Sequence, residues 1–406
     1  VNAPHRPGPR PARTLVLAVT CAVTAANVYL CQPLLGSVAG SFGTAPDALG
    51  AVPTATQLGY ALGILLIVPA GDSHDRRRLI LTLGTVCAAA LAACAAAPSA
   101  TYLVVASFAV GVCSPVPQLV TPLAVALADA RADGPGRGRT VGVVQGGLLV
   151  GVLASRAYAG SLADLAGWRT VYAVSCLLTL LLMGVVARAL PTAAPTAPAS
   201  YGTALASLPG LVRQPLVARV VISGALVGVA FGAFWTTLTF LLTDAYRLGA
   251  TAAGLFGLVA AVSALASPYA GRAAERLGRR GASAALAALV VAGWLILLPG
   301  GHALTALIIG VVVLDVGVWG GQAVCQTVLF TLAPAVHSRL NTLYFTLRFL
   351  GIALGSLLGA AAWGAGGWPA VVATGAVAAT AGLVIGALPV RAAAPREVSV
   401  RSSGPA

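Results

Sequence analysis

Twelve continuous apolar runs constrain this chain more than any other feature. They fall at 14–35, 49–70, 78–97, 101–127, 140–163, 169–189, 216–242, 251–271, 283–299, 303–330, 341–363 and 368–388. A hydrocarbon core of ~30 Å takes about 20 helical residues, so a run of this size can cross a bilayer. In lipid every backbone N–H and C=O must be bonded within the chain, which leaves helices and closed barrels. The runs are continuously apolar rather than alternating, and that selects helices. Only 8% of the 406 residues are charged and 58% are hydrophobic; a soluble protein carries roughly 25% charged residues. The expected fold class is an all-α membrane protein of twelve transmembrane helices.

The formal net charge of +14 raises the question of nucleic acid. The distribution of charge answers it. All 24 basic residues are Arg, and all but Arg156 and Arg348 are set in or at the edges of short segments between apolar runs, with no basic domain and no aromatic stacking platform. Such arginines set topology. With a cytoplasmic N-terminus, 20 of them fall in inside segments and only Arg169 and Arg247 fall outside. Both termini are therefore expected in the cytoplasm, in a multi-pass protein of the cell inner (cytoplasmic) membrane. The start bearing Arg6, Arg10 and Arg13 leads directly into the first run, which reads as a retained helix. Seven cysteines all lie within apolar runs and match no metal spacing. The four histidines (5, 74, 302, 337) are scattered in or near loops. No metal, cofactor or enzymatic constellation is expected.

The chain also repeats itself. Gly71-Asp72-Ser73-His74-Asp75-Arg76-Arg77-Arg78 returns as Gly271-Arg272-Ala273-Ala274-Glu275-Arg276-Leu277-Gly278-Arg279-Arg280. At the same offset Gly167-Trp168 matches Gly367-Trp368, Gly151 matches Gly351, and Arg139 matches Arg339. The reading is two copies of one module, each a six-helix bundle, related by pseudo-symmetry about the membrane normal. The domains are a tail at 1–13, an N-terminal bundle at 14–190, a linker at 191–215, a C-terminal bundle at 216–390 and a tail at 391–406. The linker begins with the Pro/Ala/Thr-rich stretch 191–200, expected to be semi-extended.

Twelve spans, the six-plus-six repeat and the G-x-x-x-[DE]-R loop together resemble the major facilitator superfamily. Ala26-Asn27-Val28-Tyr29-Leu30-Cys31-Gln32-Pro33-Leu34-Leu35, Thr56-Gln57-Leu58-Gly59-Tyr60-Ala61 and Leu314-Asp315-Val316-Gly317 are similar to a bacterial drug or metabolite:proton antiporter branch of it. The chain departs from that pattern in the fourth span, which has no Arg, and in the fifth, which has Gly146-Gly147 and Gly151 but no Gly-Pro pair.

The resemblance implies that Gly71, Asp75, Arg76, Gly271, Glu275 and Arg276 form gates. Asp75 would face the start of the eleventh helix at Arg339, and Glu275 the start of the fifth at Arg139. A carboxylate is favoured at a helix N-terminus by roughly 0.3–2 kcal/mol, enough to latch a state and still release it. The resemblance also implies that the first, fourth, seventh and tenth helices line the cavity. That makes Asn27, Gln118 and Trp235 candidate substrate contacts.

Three charges lie inside the spans, and an intramembrane charge is a functional candidate by default. Asp315 sits about 12 residues into the tenth span, or ~18 Å, close to the midplane. An acid withdrawn from water holds its proton more readily, so Asp315 is the candidate for proton coupling. Gln322 follows on the same helix as a candidate substrate contact. Arg156 and Arg348 could meet a substrate carboxylate or pair with Asp315. Three prolines (115, 117, 122) bend the fourth span.

The expected function is export of a small organic molecule by proton antiport with alternating access. The alternative is a symporter or facilitator that imports a metabolite. The expected partners are a small-molecule substrate, protons and the lipid bilayer, with no nucleic acid, and the protein is expected to act as a monomer.

Overall fold

A helix bonds every backbone group within its own segment, and the computed structural model resolves the apolar runs accordingly. It describes residues 11–129, 136–192, 201–264, 267–332 and 336–388; the side chains of 11, 46, 72, 125–129, 136–139, 141, 204, 261–275 and 279 are outside the description. Among the described residues, ten segments are long and apolar enough to cross a membrane: Ala12–Phe42, Asp47–Ile67, Arg76–Ala95, Ala100–Ala124, Gly142–Ala166, Trp168–Ala189, Pro215–Asp244, Arg280–Gly301, Leu304–Leu329 and His337–Ala387.

The last of these is two crossings. Tyr344 packs against Gly224, and the Ser223 hydroxyl donates to the Gly382 carbonyl at 2.7 Å. One stretch of the seventh span is thus met by both ends of the long segment, so the segment folds back. It turns at Gly366 and Gly367; Gly367 has φ 60° and ψ −151°, which a residue with a Cβ rarely adopts. The eighth crossing is Ala250–Ala264 together with the helix that begins at Ser267, and it breaks at Gly278 (φ 70°) before the ninth. Among the described residues these make twelve crossings, corresponding to the twelve apolar runs.

Two spans are interrupted by proline. The first is helical over Pro11–Tyr29, passes through a 3-10 turn at Gln32–Leu34, and resumes over Leu35–Phe42. It therefore runs past the expected end at 35. The apolar run stops there because Ser37 and Ser41 are polar, yet the Ser41 hydroxyl is satisfied within the helix by the Ser37 carbonyl at 2.9 Å. The fourth span breaks between Ala100–Cys113 and Val116–Asp129, ahead of Pro115. The N–H and hydroxyl of Ser114 take the carbonyls of Gly111 (3.1 Å) and Val110 (2.6 Å), so the break is satisfied internally.

The linker is partly helical. Tyr201–Val212 forms a helix whose Leu208 and Leu211 are buried. Its Tyr201 hydroxyl donates to the Leu66 carbonyl at 2.8 Å, and Arg339 donates to Ser207 at 2.9 Å. This helix therefore touches both halves. Residues 193–200, the stretch expected to be semi-extended, lie outside the described residues.

The repeat has a physical counterpart. A Cβ on Gly151 would fall on the Ala22 carbonyl oxygen of the first span, and a Cβ on Gly351 on the Ala225 carbonyl oxygen of the seventh. The first–fifth and seventh–eleventh pairs are packed alike, backbone against backbone, as small residues permit in membranes. The halves meet in the same paired way. Gly50 of the second span abuts Ala360 of the eleventh, and Gly160 of the fifth abuts Ala250 of the eighth. The 200-residue offset interchanges these two contacts.

Candidate functional site: a central cavity beneath a buried charged layer

A cavity of about 380 Å³ lies between the halves. Tyr29, Gln118, Gln145, Phe231, Trp319, Gln322, Gln326, Asn341, Arg348 and Phe349 are among its lining residues. Several of these sit at the ends of their spans on the arginine-rich face. Pro122 is near the end of the fourth, Phe330 follows the tenth, and Asn341 starts the eleventh beside Arg339. Gln326 Nε2 donates to Asn341 Oδ1 at 3.1 Å across the entrance. The cavity thus opens towards the arginine-rich face.

The opposite face is closed by contacts between halves. Thr239 donates to the Gln32 carbonyl at 2.8 Å, and Thr54 reaches the Ala353 carbonyl at 3.4 Å. Asp164, at the end of the fifth span, accepts from the backbone N–H of Thr251 (2.8 Å) and Ala250 (3.3 Å). It caps the eighth span, which has only glycine at position 249 to do so. A carboxylate there joins a cap to a favourable helix dipole, worth about 0.5–2 kcal/mol. Its absence should show in the balance of states. Spin labels placed at the exposed Leu165 and Leu248 should report a larger long-distance fraction in Asp164→Ala, by several-fold. An unchanged distance distribution would remove Asp164 from the closure.

One helical turn beyond the cavity roof, away from its mouth, lies a buried charged layer. Val152, Phe231, Trp319 and Tyr29 line the cavity; Arg156, Trp235, Asp315 and Gln32 sit one turn further along the same spans. Arg156 and Asp315 are 2% and 1% exposed. Arg156 Nε donates to Gln32 Oε1 at 2.8 Å. The guanidinium lies 3.8 Å from the Trp235 ring centroid and 5.0 Å from that of Tyr29. Two aromatic faces offset part of the cost of burying the cation. Asp315 is flanked by Trp235 and Trp319 and lies in the field of Arg156 and, more weakly, of Arg348. Among the described residues it forms no direct ion pair. Arg156 Nη2, Gln32 Nε2, Trp235 Nε1 and Asp315 Oδ1 have no protein hydrogen-bond partner. Burying such groups unpaired is costly, so their persistence in one layer points to a function.

The structure thus brings Arg156, Trp235 and Asp315 into one layer and puts Gln118 and Gln322 on the cavity wall. Asn27 goes elsewhere. Its amide donates to Thr179 at 3.2 Å and faces Cys87 at 3.8 Å, tying the first span to the sixth and third. The expectation that Asn27 meets substrate finds no place in the cavity lining; Tyr29, two residues on, takes that direction. Gly71 is buried against Leu119 of the fourth span. Asp75 caps the third span, accepting from the N–H of Arg77 at 2.9 Å. Arg76 is buried, Arg276 is exposed, and Arg339 donates to Ser207. The side chains of Arg139, Gly271 and Glu275 lie outside the described residues. The cavity opens on this same face, and the start of the third span that Asp75 caps lies there. Sequence reasoning missed Asp164. The signal available was an acid at a span end and a later span beginning Gly249-Ala250-Thr251 with no capping side chain of its own.

Two six-helix halves, sealed on one face and parted by a cavity on the other, define a membrane transporter. The chain belongs to the Major Facilitator Superfamily, whose family model matches residues 17–356. It is 34% identical to the uncharacterized transporter YgaY of Escherichia coli O157:H7 over 377 residues, covering 92% of this chain and 95% of that one. It is 36% identical over 378 residues to the probable transporter SCO4007 of Streptomyces coelicolor, covering 91% and 85%. A chloramphenicol resistance protein of Streptomyces lividans matches at 29% over 290 residues, covering 69% and 70%. Among solved structures, a bacterial homologue of the lysosomal transporter Spinster superposes with TM-score 0.70 at 15% identity, covering 94% and 95%. The nucleoside transporter NupG superposes with TM-score 0.71 at 12% identity, covering 92% and 98%. The protein is a multi-pass secondary transporter and not an enzyme.

Proposed function

We propose that the protein exports a small organic molecule across the cytoplasmic membrane in exchange for protons, with the arginine-rich face and both termini in the cytoplasm. The observation that carries this reading is the pairing, in one sealed layer, of Asp315 with Arg156 without a direct ion pair. A carboxyl held there can exchange a proton only when one face opens to it. With Asp315 charged, its field holds the Arg156 guanidinium; with Asp315 protonated, the cation is released to other partners. Binding of a proton and binding of a substrate thereby alternate at one place. The two halves rock about this layer, as expected of transporters with a midplane site. Gln118 and Gln322 would hold the substrate on the cytoplasmic side. Gly71, Asp75, Arg76 and Arg339, with their counterparts Gly271, Glu275, Arg276 and Arg139, would close that side in the opposite state. The name of the Streptomyces lividans relative supports the outward direction.

The test uses proteoliposomes with an imposed pH gradient. Chloramphenicol and a panel of small organic compounds are offered on the side that corresponds to the cytoplasm. At least one compound should be moved against its gradient towards the acidic compartment, with alkalinisation of that compartment. Movement together with protons, in the same direction, would replace this reading with symport.

A further inference from the structure

We propose that the transported molecule is an organic anion: a small carboxylate with an apolar or aromatic body. The inference rests on the transport reading of the cavity and adds the chemical class of what the cavity takes.

The first support is the charge of the open cavity. Among its described lining residues Arg348 is the one charged side chain, and none of them is a carboxylate. Arg348 is only 3% exposed, and among the described residues no carboxylate forms an ion pair with it. A buried guanidinium without a counter-ion is expensive unless something negative visits it. A cationic substrate would add repulsion there, and a neutral one would leave the charge as it stands.

The second support is independent and lies deeper. Beyond the aromatic roof, Arg156 and Gln32 each present an N–H that no protein acceptor takes, while Asp315, beside Trp235, offers a single unpartnered oxygen. These donors converge. Arg156 is bonded to Gln32 and stacked on Trp235. Two neighbouring N–H donors, one of them a guanidinium's, suit the two oxygens of a carboxylate. Among the described residues along the pathway there is also one more cation than anion: Arg156 and Arg348 against Asp315. Both arginines are within electrostatic range of Asp315 and of Tyr29. A carboxylate would thus meet Arg348 first, in the state open to the arginine-rich face, and Arg156 as the roof parts. Asp315 competes with it for the same cation.

The body of the molecule follows from the rest of the wall. Tyr60 and Phe349 meet edge to face at 4.4 Å between centroids, and Phe231 packs against Trp319 at 6.1 Å. A volume of about 380 Å³ is at the small end of the ~300–1,000 Å³ typical of small-molecule sites. One ring or a short chain fits it.

The experiment measures equilibrium binding to the purified full-length protein in nanodiscs, in alkaline buffer and with no gradient. The probes are phenylacetate, 4-phenylbutyrate and octanoate, each beside its methyl ester and the matching primary amine. Saturable quenching of tryptophan fluorescence and thermal stabilisation are the readouts. At least one carboxylate should bind about tenfold or more tightly than its ester and amine. Arg348→Gln should lose about that factor, and Arg348→Lys should keep part of it. Asp315→Asn should bind the carboxylate more tightly, which structural damage would not produce. Equal or better binding of the esters or amines, or no binding of any carboxylate, overturns the proposal. Direction and proton coupling do not enter an equilibrium measurement. A failure here is therefore separate from a failure of the antiport reading, which the gradient assay decides.

Discussion

Asp315→Asn is expected to reduce pH-driven transport to the level of protein-free liposomes, a loss of at least about tenfold, while exchange of labelled for unlabelled substrate continues. The substitution is isosteric. Asparagine fills the same space on the tenth span, where Asp315 is 1% exposed, so packing against Trp235 and Trp319 is retained. What is lost is the capacity to carry a proton and the charge that opposes Arg156. Substrate exchange needs the halves to rock with substrate bound, and it does not need a proton to move. Net transport coupled to the gradient needs both. A variant that still accumulates substrate under a pH gradient, with the same proton movement as the parent, would remove Asp315 from the coupling. The substitution also leaves Arg156 as an uncompensated cation in the layer, which predicts a second, milder effect: tighter retention of any anion there.

The second large effect concerns the packing that lets the halves act as rigid bodies. Gly151→Val and Gly351→Val should each abolish the monodisperse peak in fluorescence-detected size exclusion, or lower the midpoint of thermal unfolding sharply. At both positions a Cβ would land on a carbonyl oxygen of the neighbouring span, Ala22 or Ala225. Overpacking typically costs about 1–3 kcal/mol, and more where the obstacle is backbone that has no other rotamer. Gly146→Ala is the control. It lies on the same fifth span as Gly151, but nothing stands within 4 Å of its added Cβ. It should express and unfold like the parent. If Gly151→Val behaves as Gly146→Ala does, the close first–fifth approach is not the determinant of stability argued above.

The contrast between these two glycines marks what a sequence of this kind conveys. Apolar length in lipid is read directly as a crossing, because the backbone has no other way to be satisfied; hence twelve runs and twelve crossings. The matched pairs Gly151/Gly351 and Gly167/Gly367 revealed the duplication because a glycine needed for a close approach or a left-handed turn recurs wherever the module recurs. Asp315 and Arg156 stood out because charge within a span is expensive. Direction around the helix was not legible. In a span that is apolar on every side, periodicity does not tell Asn27 from Tyr29, and the structure turns the first towards the sixth span and the second into the cavity. The break at Gln32–Leu34 brings the Gln32 side chain to Arg156. It follows from Pro33, but where a broken helix resumes depends on its neighbours. Tyr201–Val212 was read as linker because prolines precede it, although its leucines find a surface to pack on only once both halves are folded. Asp164 was invisible for a similar reason, since it serves a helix in the other half.

The central claim is that the cavity and the Gln32–Arg156–Asp315 layer beyond it open in turn, the cavity to the arginine-rich face and the layer to the opposite one. Single cysteines at Gln32 and Gln326, in a background from which the seven native cysteines have been replaced, test it directly. A membrane-impermeant maleimide is applied from either side of oriented vesicles while pH is varied. Position 326 should label only from the arginine-rich face, where it lines the cavity mouth, and position 32 only from the opposite face. Conditions that raise one rate should lower the other. Simultaneous labelling of both positions from one side, or a position 32 that no condition exposes to the opposite face, would contradict the account.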